Sequence, residues 1–356
     1  MRHAQNVAID PDDTIEAVSV RQLRLWSAPQ TIMVATNLAD ELAILPHAIL
    51  QARQSSAKIL LVHVVDASDR VWAPPAWSLR RTTSRNCAAR PILDRMAQQL
   101  RWVGITCEPV VLTGVPEVEI PRLAKARAVD RLIMVFEDNP DLTASRNRTL
   151  AERLLPAIEV PVCLIGRHVS LSSPRGLKAR NITLAVSLDS DCQIHIGFAS
   201  RLAQEIQAKL SVLHVSSRER RKPQGSAGAV AEVVSRLPFQ AWREAELFCP
   251  AQINLREGEP AEEILKHSSS QNESSIVLCS SGVASPVKNW RNSVSYRVLT
   301  EARCPVFILE RRAPQPNHCV KDEVASLTEQ RASAIQDRNV IWLPDRPGPS
   351  FKWGRK

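Results

Sequence analysis

No apolar run in the 356-residue chain is long enough to cross a bilayer, and the leading segment MRHAQNVAIDPDD lacks the apolar stretch of a secretion signal. Both absences predict a cytoplasmic protein with no membrane partner. Aromatic residues make up only 4% of the chain, with a single Tyr. Leu, Ile, Val and Ala must then fill the core, a composition that suits a parallel sheet covered by helices on both faces. The eight cysteines (Cys87, Cys107, Cys163, Cys192, Cys249, Cys279, Cys304 and Cys319) form no CxxC pair and no His/Cys spacing suited to zinc. They read as buried, reduced thiols, and no metal ligand is expected. A GxSxG elbow and a complete P-loop are also missing, and Ser293 has no base near it in sequence. The expectation is therefore a protein with no catalytic residues, not an enzyme.

What is there is enough chain for two domains of ordinary globular composition, 44% apolar and 23% charged. The formal charge of +9 favours anionic partners in a general way. An internal repeat organises the chain. The segment from Gln30, QTIMVATNLADELAILPHAILQARQSSAKILLVHVV, and that from Asn181, NITLAVSLDSDCQIHIGFASRLAQEIQAKLSVLHVS, are one unit written twice. Ile32 corresponds to Ile182, Lys58 to Lys209 and His63 to His214. Further on, Gly114 aligns with Gly258, Pro116 with Pro260 and Ile120 with Ile264, and Pro161 aligns with Pro305 ahead of a closing apolar strand. Short β-branched runs alternating with amphipathic stretches predict β-α-β-α-β-α-β-α-β in each copy, hence parallel sheets with right-handed crossovers. Ligands in such sheets sit beyond the carboxyl ends of the strands. The repeated histidines read as structural.

The chemistry concentrates before the last helix of each copy. In the second the pattern is Cys279-x2-Gly282-x9-Asn292-Ser293, within LCSSGVASPVKNWRNSVSYRVL. In the first the same register gives Val135-x2-Asp138-x9-Arg148-Thr149. This segment resembles the universal stress protein family, whose ATP-binding members carry Gly-x2-Gly-x9-Gly-Ser/Thr there. The resemblance covers roughly residues 30 to 312. It implies two tandem Rossmann-like α/β/α sandwiches of the adenine nucleotide alpha hydrolase-like kind, each with a five-stranded parallel sheet. The expected boundaries are a polar lead (1–29), a first domain (30–168), a linker (169–179), a second domain (180–312) and a tail (313–356).

Glycine is wanted in such a loop because phosphate oxygens must approach backbone N–H groups closely, and a serine capping the next helix adds the helix dipole. The resemblance assigns an adenine nucleotide, with ATP as cofactor, to Ser187, Gly258, Cys279, Ser280, Ser281, Gly282, Asn292 and Ser293. Two of the three motif glycines are replaced in the second copy. All three are gone in the first, where Glu137, Asp138 and Asp141 would repel phosphate, so that copy is expected not to bind ATP. The aspartate that family members place after the first strand is Asn37 in one copy and Ser187 in the other. The alternative function is a nucleotide-independent dimerisation or scaffold protein that binds an anionic or protein partner. The family's pairing through its last strand implies contact between Pro161–Ile165 and Pro305–Leu309 within one chain, and a homodimer is a further partner. A loop at 70–85, with Arg70, Arg80, Arg81 and Arg85 around Trp72 and Trp77, and the run Arg218 to Lys222 offer cations and stacking surfaces. A solvated insertion is the plainer reading, so nucleic acid is not an expected partner.

Overall fold

The computed structural model describes residues 25, 27–66, 75–137, 149–169, 181–187, 193–216, 251–270, 274–280, 290 and 293–310. The first copy runs β1 (Thr31–Ala35), α1 (Glu41–Ser55), β2 (Lys58–Asp66), α2 (Pro75–Trp102), β3 (Cys107–Gly114), α3 (Pro116–Ala126), β4 (Arg131–Val135), α4 (Leu150–Leu154) and β5 (Val162–Ile165). The second runs β6 (Asn181–Val186), α5 (Gln193–Ile206), β7 (Lys209–Ser216), β8 (Ala251–Glu257), α6 (Pro260–Ser270), β9 (Ser274–Ser280), α7 (Val294–Glu301) and β10 (Val306–Glu310). The segment between β7 and β8 lies outside the described residues, as do the lead before Leu25 and the tail.

The five strands of each copy are parallel, as the alternation of strands and helices predicts. They do not remain two sheets. β5 and β10 pair antiparallel, with Val306 opposite Leu164, Phe307 opposite Cys163 and Ile308 opposite Val162. This fuses everything into one ten-stranded sheet of order β3-β2-β1-β4-β5-β10-β9-β6-β7-β8. The central strands are buried on both faces, so they read as unbroken apolar runs such as TIMVA in β1, whereas the edge strand β3 is mostly half-buried. Alternation along them splits the core into two layers. Ile32, Val34, Leu61, Leu184 and Phe307 pack towards one layer, with Ile44 of α1, Leu93 of α2 and Phe198 of α5. Met33, Leu60, Leu132, Leu164 and Ile308 pack towards the other, with Ile120 of α3, Ile264 of α6 and Val298 of α7. Each layer continues from one copy into the other.

The repeat also fixes matching local devices. α1 ends on Ser56 in the left-handed region (φ 57°) and α5 ends next to Gln207 in the same region (φ 54°). Each lets the following N–H reach back to the helix, Ala57 to the Ala52 carbonyl at 3.0 Å and Ala208 to the Ala203 carbonyl at 2.8 Å. Pro116 and Pro260 open α3 and α6, where proline's missing N–H is no loss.

The structure corrects the expected loop at 70–85. From Pro75 onward this stretch is the first part of the 28-residue helix α2, so Trp77, Arg80, Arg81 and Arg85 are helical; Arg70 and Trp72 lie outside the described residues. Pro75 starts the helix, and no glycine follows before its end. The run Arg218 to Lys222 lies outside the described residues.

Candidate functional site

In each copy the first strand lies between the second and the fourth, with crossovers leaving in opposite directions. The crevice at the carboxyl ends of these strands is where such sheets take ligands. In the first copy it is a cavity of about 380 Å³. Its floor is apolar, with Ala35, Val62, Met134 and Ile120, and its rim carries Thr36, Asn37, Asp40, His63, Glu137, Thr149 and Arg153.

The rim is internally tied. Asn37, just after β1, donates from Nδ2 to Glu137 Oε1, just after β4, and so bridges the two strand ends. Its Oδ1 accepts from the backbone N–H groups of Ala39 (2.8 Å) and Asp40 (3.0 Å). The Thr36 hydroxyl donates to the Asp40 carboxylate and accepts from the Leu38 N–H at 2.9 Å. Burial pushes the Asp40 carboxyl above the ordinary carboxylate range, against the opposing pull of the Thr36 hydroxyl and nearby backbone N–H groups. Arg153, on α4, is held by Glu117 of α3 at 2.5 Å. The cavity thus presents two carboxylates and one guanidinium that is already paired, a poor cradle for phosphate.

His63 and His214 occupy matching places, each with Nδ1 on the carbonyl that ends the first strand of its copy, Thr36 at 2.9 Å and Val186 at 3.1 Å. This is the structural role that the repeated histidine suggests.

In the second copy, Ser187 follows β6 and is exposed. Cys279 and Ser280 are the last residues of β9, opposite Leu309 and Glu310 of β10. β9 is the direct neighbour of β6, so these strand ends lie side by side. Ser293 caps α7, its hydroxyl oxygen accepting from the Tyr296 N–H at 3.1 Å, as Thr149 caps α4 by accepting from Glu152 at 3.2 Å. Ser281, Gly282 and Asn292 lie outside the described residues, as do Asp138, Asp141 and Arg148 of the first copy. Gly258 stands apart from the others, since it follows β8, two strands from β6. There it has a local reason to be glycine: an added Cβ would come 3.0 Å from Glu263 Cγ, and at Gly114 one would come 2.7 Å from Glu119 Cγ. Glu263 is fixed by Arg256 at 3.2 Å, and that bond holds its carboxyl below the usual range.

Sequence reading missed two buried polar groups. Ser211 Oγ lies 2.8 Å from His267 Nε2 and 2.8 Å from Asn254 Nδ2, under α6. This serine and histidine resemble a nucleophile and its base, but His267 Nδ1 is buried with no partner to orient the ring. The second group joins Arg131 of β4 to Glu205 of α5 at 3.1 Å, between the copies. No local pattern announces either; only comparison of the copies does, because Arg131 aligns with Ser275 and His267 with Leu123. Among the described residues no group of His, Cys, Asp or Glu is placed to hold a metal ion, and no helix is long and apolar enough to cross a membrane.

The chain matches the universal stress protein family twice, over residues 29–162 and 178–310. A 126-residue stretch is 31% identical to the universal stress protein YxiE of Bacillus subtilis, covering 31% of this chain and 85% of that one. Among solved structures, a universal stress protein from Archaeoglobus fulgidus superposes with a TM-score of 0.60 at 17% identity, covering 80% of this chain and 97% of the other. A functionally unknown protein from Pseudomonas aeruginosa superposes with a TM-score of 0.50 at 17% identity, covering 87% and 99%. With both repeats matched in sequence and the tandem architecture matched in structure, the chain belongs to the universal stress protein family.

Proposed function

We propose that the chain is a non-catalytic, cytoplasmic stress-response protein whose second domain holds an adenine nucleotide, ATP by its motif spacing, while the first domain is its structural partner. The domains are 30–168 and 180–312, joined by 169–179 and flanked by 1–29 and 313–356. The observation that carries the reading is the chemical difference between the two crevices. The first has carboxylates at Asp40 and Glu137, a bond from Asn37 to Glu137 across the strand ends, and a guanidinium paired to Glu117. In the second, Ser187 and Ser281 stand at the positions of Asn37 and Glu137, so the carboxylate and the bridge across the strand ends are lost there, while Asp191 matches Asp40 and Arg297, the equivalent of Arg153, is paired to Glu259 at 3.0 Å.

The helix after each motif differs in the same sense. α7, capped by Ser293, is α-helical over eight residues, whereas α4 is α-helical over five and continues as a 3-10 turn, Leu155–Ala157. Its positive end faces the side of the sheet where phosphate would lie. Calorimetry with ATP and ADP tests this on the intact protein and on the Gly282→Val/Ser293→Ala variant. Micromolar binding that the variant loses supports the reading, and no heat at millimolar nucleotide refutes it.

One observation favours a second reading, a nucleotide-independent scaffold. Cys279, the last residue but one of β9, stands where the motif has glycine, a position at which any Cβ hinders close approach of phosphate to the backbone. On this reading neither crevice takes nucleotide, and the partner is a protein or another anion.

A further inference from the structure

Arg131 opens β4 in the first domain, and its guanidinium is enclosed by the second. Nη2 lies 3.1 Å from Glu205 Oε2 on α5, with both side chains 3% exposed. The guanidinium carbon stands 5.6 Å from the Phe198 ring centre and 5.7 Å from that of Phe307. From the first domain, among the described residues, a neutral group is added, Gln51 Oε1, which accepts from Nη1 at 3.1 Å; Gln51 Nε2 in turn donates to Cys163 Sγ at 3.3 Å.

The junction is centred on a pseudo-twofold axis. Cys163 and Phe307 are equivalent positions by the Pro161 to Pro305 alignment, and they face one another in the antiparallel pairing. The charges break this symmetry. The equivalent of Arg131 is Ser275. Lys58 aligned with Lys209 makes Gln54 the equivalent of Glu205, and His47 that of Phe198 in the same helix. Were two first domains to meet through β5, each Arg131 would face Gln54, with the His47 imidazole in place of the Phe198 ring. Were two second domains to meet through β10, each Glu205 would face Ser275, and Phe307 would abut Phe307 across the axis, where Cys163 now makes room. The first pairing buries two guanidiniums without an opposite charge and the second leaves each buried Glu205 only the partly exposed Arg201 of its own helix at 3.6 Å, and both are costlier than burying a matched pair.

We infer that Arg131 and Glu205 make this a heterotypic junction: the β5 surface of the first domain accepts the β10 surface of a second domain and rejects a second copy of itself, and the converse holds for β10. The closing strands are thereby reserved for pairing unlike domains, and a homodimer must use another surface.

The test has two parts, both begun on the intact chain. In chemical unfolding, Glu205→Gln leaves the guanidinium unpaired and lowers the folding constant by at least about a hundredfold, whereas Arg131→Met/Glu205→Leu, which removes both charges, returns it to within about tenfold of native. A Glu205→Gln chain as stable as the native one overturns the inference. In the second part a protease site is placed in the linker, and the folded chain is cut and its halves examined by native mass spectrometry. The native protein yields pairs of unlike halves only, and Arg131→Met/Glu205→Leu yields like pairs as well. Like pairs at their statistical share in the native protein, or halves that separate into monomers, overturn it.

Discussion

His47 makes the fold sensitive to acid in a way that one substitution should remove. It lies on α1, 5% exposed, and its Nε2 has no hydrogen-bond partner. Burial alone lowers its pKa from the ordinary 6.5 to about 4. Between those values the unfolded chain binds a proton that the folded chain refuses, so stability is fully present above 6.5 and is lost as the pH falls towards 4. A displacement of about 2.5 pKa units corresponds to roughly 3 kcal/mol across the window, most of it spent by about pH 4.5. His47→Leu keeps a buried apolar residue of similar size in the helix and removes the titration. Urea unfolding of both proteins at about pH 7.5 and 4.5 isolates the effect, because His267, also lowered by burial and by Arg256, contributes equally to both. The variant should be close to native at the higher pH and gain about 2 to 3 kcal/mol on it at the lower. A gap that stays constant with pH would refute the assignment of a neutral buried His47.

Thr149→Ala and Ser293→Ala each remove a side-chain cap and should each cost about 1 kcal/mol in thermal or urea unfolding, but only Ser293→Ala should also weaken nucleotide binding. Gly114→Ala should cost about 1 to 3 kcal/mol in the same assay, since φ is 158° and the new Cβ meets Glu119 Cγ at 2.7 Å. Gly258→Ala should cost less, its contact with Glu263 Cγ being 3.0 Å, and equal losses would show that the side-chain contact is not the cause.

The repeat was the most informative feature of the sequence, because each copy had to rebuild the same backbone. The alignment of Lys58 with Lys209, Gly114 with Gly258 and Pro161 with Pro305 reappears as strand starts, tight turns before proline-led helices, and the two closing strands that meet. Long-range charge was not legible. Arg131 and Glu205 are 74 positions apart in different copies, and neither sits in a motif. The start of α2 was misread because interleaved Trp and Arg obscure helical periodicity when their exposure is unknown. The cavity of the first copy was hidden for a different reason. Its walls come from strand ends and from Pro116, Ile120, Leu150 and Ala151 of the flanking helices, which the motif does not control.

The division of labour between the two domains is tested most directly by locating a bound nucleotide. A photoreactive ATP analogue, cross-linked to the intact protein and mapped by peptide mass spectrometry, should label peptides from 181–310 and be competed by unlabelled ATP. Competed label on 31–165, around Asn37, Asp40 and Glu137, would contradict the account by placing the nucleotide in the crevice whose charges should reject it.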